Sequence, residues 1–193
     1  MRSSFLTLVL FATPAAALDF GGILNWTGSG ANRAALIVDF GDGLPATAWG
    51  YRFDDFNEAD PATGRFRGID MVRAVAAATT LDVEITSFSF GDAVTGFRDG
   101  TRSRGGFDPS SAGYFSDFVR DATTSEPTWT FADEAAVGAS DRTLADGAWD
   151  AWSWYANFTS ALPGPALPAP VPEPASLLVL AAGGAFLRRR RRG

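Results

Sequence analysis

Residues 34–53 read Ala-Ala-Leu-Ile-Val-Asp-Phe-Gly-Asp-Gly-Leu-Pro-Ala-Thr-Ala-Trp-Gly-Tyr-Arg-Phe, and this stretch decides the fold class. Apolar side chains occupy alternate positions of its first part, Ala34, Leu36, Val38 and Phe40, which is typical of a β-strand. Aromatic side chains occupy alternate positions of its last part, Trp49, Tyr51 and Phe53. A glycine-rich turn, Gly41-Asp42-Gly43, separates the two parts. The stretch therefore predicts a β-hairpin.

The periodicity changes after an acidic loop at residues 54–68. Apolar residues then recur every three or four positions over 69–79, which predicts one amphipathic helix. A strand is predicted over 81–90, with a β-bulge near Thr86-Ser87 where the apolar phase slips. Further strands are predicted at 93–97, 114–119, 128–131 and 148–155, with a Gly/Arg-rich loop at 99–106. One helix within a mostly antiparallel run of strands predicts an α+β fold.

The composition excludes several chemistries. The chain has 193 residues, no His and no Cys, and all 16 basic residues are arginine. Ser-His-Asp and Cys-His catalysis, Schiff bases, disulfides and thiolate or imidazole zinc sites are therefore excluded. Any catalytic groups would have to be carboxylates, hydroxyls or arginine side chains. The sequence predicts no cofactor.

The net charge of −6 is the sum over segments that differ in charge. Residues 18–171 hold 10 arginines and 21 acidic residues, a net charge of −11. Binding to nucleic acid requires clustered positive charge. The acidic body therefore argues against a nucleic-acid partner.

The N-terminus has the three parts of a secretory signal peptide. Arg2 is followed by an apolar stretch at residues 5–12 and then by a small-residue ending, in which Ala15 and Ala17 form the Ala-x-Ala pattern. We expect signal peptidase to cleave after Ala17, so that residues 1–17 are removed. An uncleaved anchor or a buried helix is the alternative, but the apolar run is well short of the ~20 residues that span a bilayer.

The C-terminus contains three successive segments. Residues 161–171 form a Pro-rich linker, which we expect to be an extended spacer. Residues 175–187 are uncharged and predict a hydrophobic helix of ~20 Å, short of the ~30 Å hydrocarbon core. Five arginines follow and predict a stop-transfer block that stays in the cytoplasm: Arg188, Arg189, Arg190, Arg191 and Arg192.

Residues 172–193 resemble the PEP-CTERM sorting signal of exported bacterial proteins. The resemblance is carried by Pro172, Glu173 and Pro174, by the apolar segment after them and by the terminal arginines. It implies recognition of Pro-Glu-Pro by an exosortase, transient membrane anchoring, and release or re-anchoring at the cell surface or in an extracellular matrix. The alternative is an ordinary tail anchor that is never processed.

The body, residues 18–160, carries a fainter resemblance to the transcobalamin-like C-terminal domain family. Residues 137–152 are similar to the end of that domain, where a small-residue turn and a short Asp-Gly loop precede an aromatic strand. The resemblance implies a β-grasp-like sheet with one helix. Cobalamin binding does not transfer, because this chain has no room for the helical domain that supplies much of that site.

Four of the six tryptophans lie between residues 129 and 154: Trp129, Trp149, Trp152 and Trp154. They are candidates for a stacking platform that binds a sugar or a flat ligand. The alternative, which we favour, is that they form the core, because aromatic residues are common in strands and a domain of this size must bury large side chains. Strand alternation places Trp152 and Trp154 on one face and Trp149 and Tyr155 on the other.

The acidic loop offers a weak metal candidate. Carboxylates crowd together at Asp54, Asp55, Glu58 and Asp60, and Ca²⁺ takes 6–8 oxygen ligands. The spacing does not match the Asp-x-Asp-x-Asp-Gly calcium loop, and an acidic protein shows such clusters as solvated surface. We therefore predict no metal.

These observations predict a non-enzymatic exported protein whose small α+β domain binds a ligand, such as extracellular polysaccharide, or contributes to a matrix. A secreted carboxylate-dependent polysaccharide hydrolase is one alternative. A calcium-dependent sugar-binding module with an all-β sandwich is another, although the helical pattern at 69–79 argues against it.

Overall fold

The computed structural model describes residues 18–89, 91–108, 110, 112–121 and 129–156. Its strands are β1 Trp26–Gly28, β2 Asn32–Asp39, β3 Thr47–Phe53, β4 Leu81–Phe88, β5 Gly91–Asp99, β6 Arg102–Gly105, β7 Tyr114–Arg120 and β8 Ala148–Tyr155. The helix α1 spans Gly68–Ala78, and Phe131–Asp133 form a single 3₁₀ turn. The α+β fold is confirmed.

A five-stranded sheet forms the centre of the molecule, in the order β1-β3-β2-β8-β7. The predicted hairpin is confirmed, because β2 and β3 pair antiparallel with Leu36 opposite Trp49. β8 pairs parallel with β2 on its other side, and β1 pairs parallel with β3. The remaining pair in this sheet, β7 with β8, is antiparallel.

A separate three-stranded sheet has the order β4-β5-β6, with both pairs antiparallel. Antiparallel pairs therefore predominate, as predicted, but they are divided between two sheets. The predicted bulge exists, although it lies between Glu84 and Ile85, two residues before the expected place. Phe88, which the pattern placed on an apolar face, is 46% exposed.

Helix α1 matches the predicted helix to within one residue at each end. The Asp70 carboxylate accepts a hydrogen bond of 2.9 Å from the Arg67 N–H, which places a negative charge in the first turn. The hydroxyl of Thr79 donates to the Val75 carbonyl at 2.8 Å and ends the helix. The side of α1 that faces the core is apolar and buried: Ile69, Met71, Val72 and Val75.

Both faces of the five-stranded sheet are covered. One face packs against α1 and the three-stranded sheet, and includes Leu36, Trp49 and Trp152. The opposite face packs against Leu18, Phe20 and Ile23, and includes Ile37 and Trp149. The prediction that β2 has one apolar face was therefore incomplete, because residues 34–38 are all fully buried in the middle of a covered sheet.

Residues 21–30 are rich in glycine and no strand was predicted there, but they contain the short strand β1, where the Trp26 ring lies so close to Gly50 that a Cβ at residue 50 would be 2.4 Å from it. Two local predictions were wrong. The expected loop at 99–106 contains strand β6. The strand expected at 128–131 is absent, because the described residues there lead into the 3₁₀ turn.

No helix among the described residues combines the length and apolarity that a membrane crossing requires. The predicted signal peptide, the whole linker and the sorting segment lie outside the described residues. The boundaries after residues 17, 160 and 171, which separate the signal peptide, the body, the linker and the sorting segment, stay predictions.

Candidate functional site

A buried group of charged residues lies where the start of α1 meets the loop before β8. Asp150, in the middle of β8, is 2% exposed, and Arg142, in the loop before β8, is 7% exposed. Helix α1 begins against the same loop, because the Gly68 N–H donates to the Arg142 carbonyl at 2.8 Å and the Ile69 N–H donates to the Ala139 carbonyl at 3.0 Å. The loop therefore holds both the helix start and the buried arginine.

Arg142 joins two carboxylates. Its Nε and Nη2 donate to Oδ1 of Asp150 at 3.2 and 3.1 Å. Its Nη2 and Nη1 donate to Oδ1 and Oδ2 of Asp121 at 2.6 and 3.1 Å. The guanidinium fork thus connects the interior carboxylate with a half-exposed one at the end of β7.

Asp117 differs from these residues because its carboxyl group has no hydrogen-bond partner among the described residues. Both carboxyl oxygens are closed off from solvent and make no hydrogen bond within the described part of the chain. The same is true of the indole Nε1 of Trp152, which lies directly opposite Asp117 in the β7–β8 pairing. Buried polar groups nearly always have a partner. Two unpartnered groups on neighbouring strands are therefore a feature that requires explanation.

Burial controls the ionisation of the two interior acids. Burial raises the pKa of Asp117 well above its ordinary 3.8, and the nearby charge of Asp150 raises it further. Burial also raises the pKa of Asp150 to about 6, because the loss of hydration outweighs the attraction of Arg142. Despite its own burial, the pKa of Arg142 is raised by its bonds to Asp121 and Asp150. Arg142 is therefore permanently charged, whereas burial favours the protonated form of Asp117.

A cavity of about 390 Å³ lies beside these residues, between the two sheets. It is lined by the start of β5, by residues 115–117 of β7, by Trp152 and by the loop 134–141. Ser140 holds the loop to β5, because its hydroxyl accepts from the Asp92 N–H at 2.7 Å and donates to the Asp92 carbonyl at 2.6 Å. Asp117 and Trp152 thus both belong to the cavity wall.

The four predicted tryptophans lie in the interior. Their exposed fractions are at most 8%, and none of them forms an exposed platform: Trp129, Trp149, Trp152 and Trp154. The predicted division between strand faces is confirmed, since Trp152 contacts the core beneath α1 and Trp149 contacts the opposite core. Only Trp152 lines the cavity between the two sheets. Ligand binding by the other three stays a prediction.

The carboxylates of the acidic loop do not come together. Asp55 accepts a hydrogen bond of 2.8 Å from Asn32, and Asp60 pairs with Arg67 at 3.0 Å, while Asp54 and Glu58 are exposed. Within the described ranges, no three acidic side chains form a group that could hold a metal ion. The weak calcium candidate therefore gains no support from the geometry.

The sequence contained a signal for the residues that were missed. Asp117 and Asp150 each interrupt an apolar face of a predicted strand, between Phe115 and Val119 and between Ala148 and Trp152. A charged residue at such a position is expected to be buried with a partner or to have a function. The sequence contained no signal that Arg142 would pair with Asp150 or that Asp117 would lack a partner.

The chain matches no protein-family model, no curated protein and no solved structure. The resemblances to PEP-CTERM proteins and to transcobalamin-like domains therefore stay predictions. The sorting residues Pro172, Glu173 and Pro174, the arginines 188–192 and the cleavage residues Ala15 and Ala17 lie outside the described residues.

The raised pKa values of Asp117 and Asp150 predict an unusual pH dependence of stability. Between 3.8, the ordinary value, and about 6 for Asp150, the folded state binds more protons than the unfolded state. The free energy of unfolding therefore falls as the pH rises through this range. Urea unfolding between about pH 3 and pH 8 measures the effect.

Protonation of the arginine-paired aspartates at acidic pH lowers the free energy of unfolding. Hydrogen bonds from Thr63 and Ser87 are the leading cause of the lowered pKa values of Asp60 and Asp92. At Asp42 and Asp133, burial raises the pKa, but the arginine bonds and the neighbouring backbone and threonine bonds together outweigh it. Their contribution is lost as the pH falls below their ordinary pKa. We expect maximal stability at about pH 4–5, and a maximum at or above neutral pH would contradict this prediction.

Proposed function

We propose that this chain is an exported bacterial protein that exosortase sorts, through residues 172–193, to the cell surface or an extracellular matrix. We further propose that its body is a non-enzymatic ligand-binding domain. The observation that carries the sorting proposal is the order of Pro172-Glu173-Pro174, an apolar segment and five arginines. Signal peptidase and exosortase are the expected partners during export, and the membrane is contacted through residues 175–187.

The fold of the body is compatible with removal of residues 1–17. Leu18, the first residue after the expected cleavage site, is 7% exposed and contacts the core of the second sheet face together with Phe20 and Ile23. Cleavage after Ala17 would therefore leave every described core residue in place. The absence of cysteine also suits export, because folding then requires no disulfide formation.

We further propose that the body is related to the β-grasp-like transcobalamin-like domains. Asp146 and Gly147, in the loop that carries the resemblance, contact the start of β2. The Asp146 carboxylate accepts from the Arg33 N–H at 2.9 Å, and the Gly147 N–H donates to the Arg33 carbonyl at 2.8 Å. Gly147 has φ +81°, a conformation that glycine adopts without strain. The loop therefore aligns β8 beside β2.

A carboxylate-dependent hydrolase is the second candidate, and one observation favours it. Asp117, whose pKa is raised by burial, and Glu134 line the same cavity. Two carboxyl groups in one cleft, one of them with a raised pKa, are the parts that glycoside hydrolysis needs. We expect no turnover when the protein is incubated with polysaccharides. Turnover that Asp117→Asn abolishes would replace the non-enzymatic proposal.

Processing of the termini tests the sorting proposal directly. In a host that has an exosortase, we expect the mature protein to lack residues 1–17 and the terminal arginines, as measured by intact mass. Glu173→Ala should leave the arginine tail attached and keep the chain in the membrane, because it removes the charged residue of the recognition motif. Pro168→Ala, in the linker, is the matched control and should be processed normally. Recovery of the arginine tail on surface-exposed wild-type protein would overturn the proposal.

A further inference from the structure

We propose that the cavity between the two sheets binds a neutral, hydroxyl-bearing ligand of about monosaccharide size, with Asp117 and Trp152 as its hydrogen-bonding partners. This inference adds a binding site to the proposed function and does not depend on how the chain is sorted. It rests on the position of the two unpartnered groups, on the charge of the lining and on the size of the cavity.

The two unpartnered groups are neighbours by strand register. Asp117 and Trp152 face each other across the β7–β8 pair, and both line the cavity. A buried donor or acceptor without a partner costs about as much as a lost hydrogen bond, so a ligand that supplies both partners gains from them. Since both groups are closed off from solvent, we infer that ligand binding turns both the Asp117 carboxyl group and the Trp152 indole N–H towards the cavity.

The charge of the lining selects the ligand class. Four acidic residues line the cavity, Asp92, Asp117, Glu134 and Asp141, and no arginine is among its described lining residues. Asp92 is paired with Arg73, and burial favours the neutral form of Asp117, so Glu134 and Asp141 supply the negative charge that disfavours an anion. A simple ammonium ion can donate to a carboxylate but cannot accept the hydrogen bond that the Trp152 indole offers. A hydroxyl group both donates and accepts, so it satisfies the carboxyl group and the indole together.

The remaining lining and the volume agree with a sugar unit. Val94, Phe115 and the ring of Trp152 supply an apolar surface against which the C–H face of a sugar can pack. The volume of about 390 Å³ lies near the lower end of the range for small-molecule pockets. We therefore expect one sugar unit with a Kd on the order of 1 mM, since a ligand with few atoms has few contacts.

The indole N–H signal of Trp152 provides a direct measurement. We would label the full chain with ¹⁵N, assign the signal by its loss in Trp152→Phe, and add glucose, galactose, mannose or N-acetylglucosamine. At least one neutral sugar should shift the Trp152 signal, while glucuronate and ethylammonium should bind at least about tenfold more weakly. No shift with any neutral sugar, or equal binding of glucuronate, would overturn the proposal.

Two variants separate the site from the fold. A Cβ at Gly138, which lines the cavity, would meet no atom within 4 Å, so Gly138→Leu adds bulk without a steric clash in the folded chain. It should weaken binding at least about tenfold with an unchanged melting temperature. Ala77→Leu also introduces a leucine, at an exposed position of α1, and this variant should bind the sugar normally.

Asp117→Leu should lose sugar binding although it folds. Normal binding by folded Gly138→Leu or Asp117→Leu would place the ligand elsewhere and overturn the proposal.

A comparison of glucose with maltotetraose distinguishes the two sources of such a ligand. Tighter binding of the tetrasaccharide would identify the ligand as a residue of a polysaccharide chain, and equal binding would identify it as a free sugar. Either result requires the same Trp152 shift, and the absence of a shift with every neutral sugar, maltotetraose included, counts against the cavity.

Discussion

Replacing Arg142 by Met should lower the free energy of unfolding by about 3–5 kcal/mol at pH 7. The substitution leaves Asp150, which is 2% exposed, without the arginine that accompanies it in the interior. Methionine fills much of the same volume, so the loss measures the uncompensated charge more than a cavity. Urea unfolding at pH 7 and pH 5 provides the test. The loss should be smaller at pH 5, because the pKa of Asp150 is about 6 and the residue is then largely neutral.

Arg98→Met is the matched control for this prediction. Arg98 makes two hydrogen bonds to Asp82, at 2.8 and 2.7 Å, but both side chains are about half exposed. Such a surface pair contributes about 0–1 kcal/mol. The double variant Arg142→Met with Asp150→Leu should recover most of the lost stability, since it removes the buried charge itself. Equal losses for Arg142→Met and Arg98→Met would contradict the interior role of Arg142.

Replacing Asp117 by Leu should raise the free energy of unfolding by about 1–3 kcal/mol at neutral pH. Leucine has a similar size and removes two carboxyl oxygens that have no partner among the described residues. The gain should increase from about pH 5 to pH 8, because the wild-type protein must either keep a proton on Asp117 or bury its charge near Asp150. Thermal or urea unfolding across this pH range measures both effects.

Two further variants sharpen this second prediction. Asp117→Asn keeps the shape and the polar group but cannot titrate, so it should flatten the pH dependence with a smaller gain. Asp82→Leu, on an exposed part of β4, should change stability by about 0.5 kcal/mol or less. Destabilisation by Asp117→Leu would show that the carboxyl group has a partner in the native protein. A stabilised variant that no longer binds sugar would mean that Asp117 is kept for function at a cost in stability.

The elements that local patterns specify could be predicted. The β2–β3 hairpin follows from alternation around the turn at residues 41–43, and α1 follows from apolar residues at helical spacing. Strand β8 has the predicted bounds, because aromatic residues recur along the whole segment that follows the Asp146-Gly147 turn. In each case, neighbours in sequence suffice to define the element.

Non-local pairings could not be predicted. β6 consists of arginine, serine and glycine, which have no strand pattern, and it forms because β5 offers it an open edge. β2 and β8 are more than a hundred residues apart in the chain, and their parallel pairing buries both faces of β2. The sequence places four carboxylates close together in the acidic loop. In the structure these carboxylates lie apart, because their partners lie on different parts of the fold.

The sequence by itself determined the α+β class, the hairpin and the helix, since these depend on periodicity and turn residues within short segments. It also supplied the terminal segments on which the proposed sorting rests. Only the tertiary structure decided that Arg142 pairs with Asp150, and that Asp117 lies opposite Trp152 with no hydrogen-bonding partner in the part of the chain that the structure describes. The reason is that burial and pairing depend on which distant segments meet, and strand alternation specifies a face without specifying what covers it.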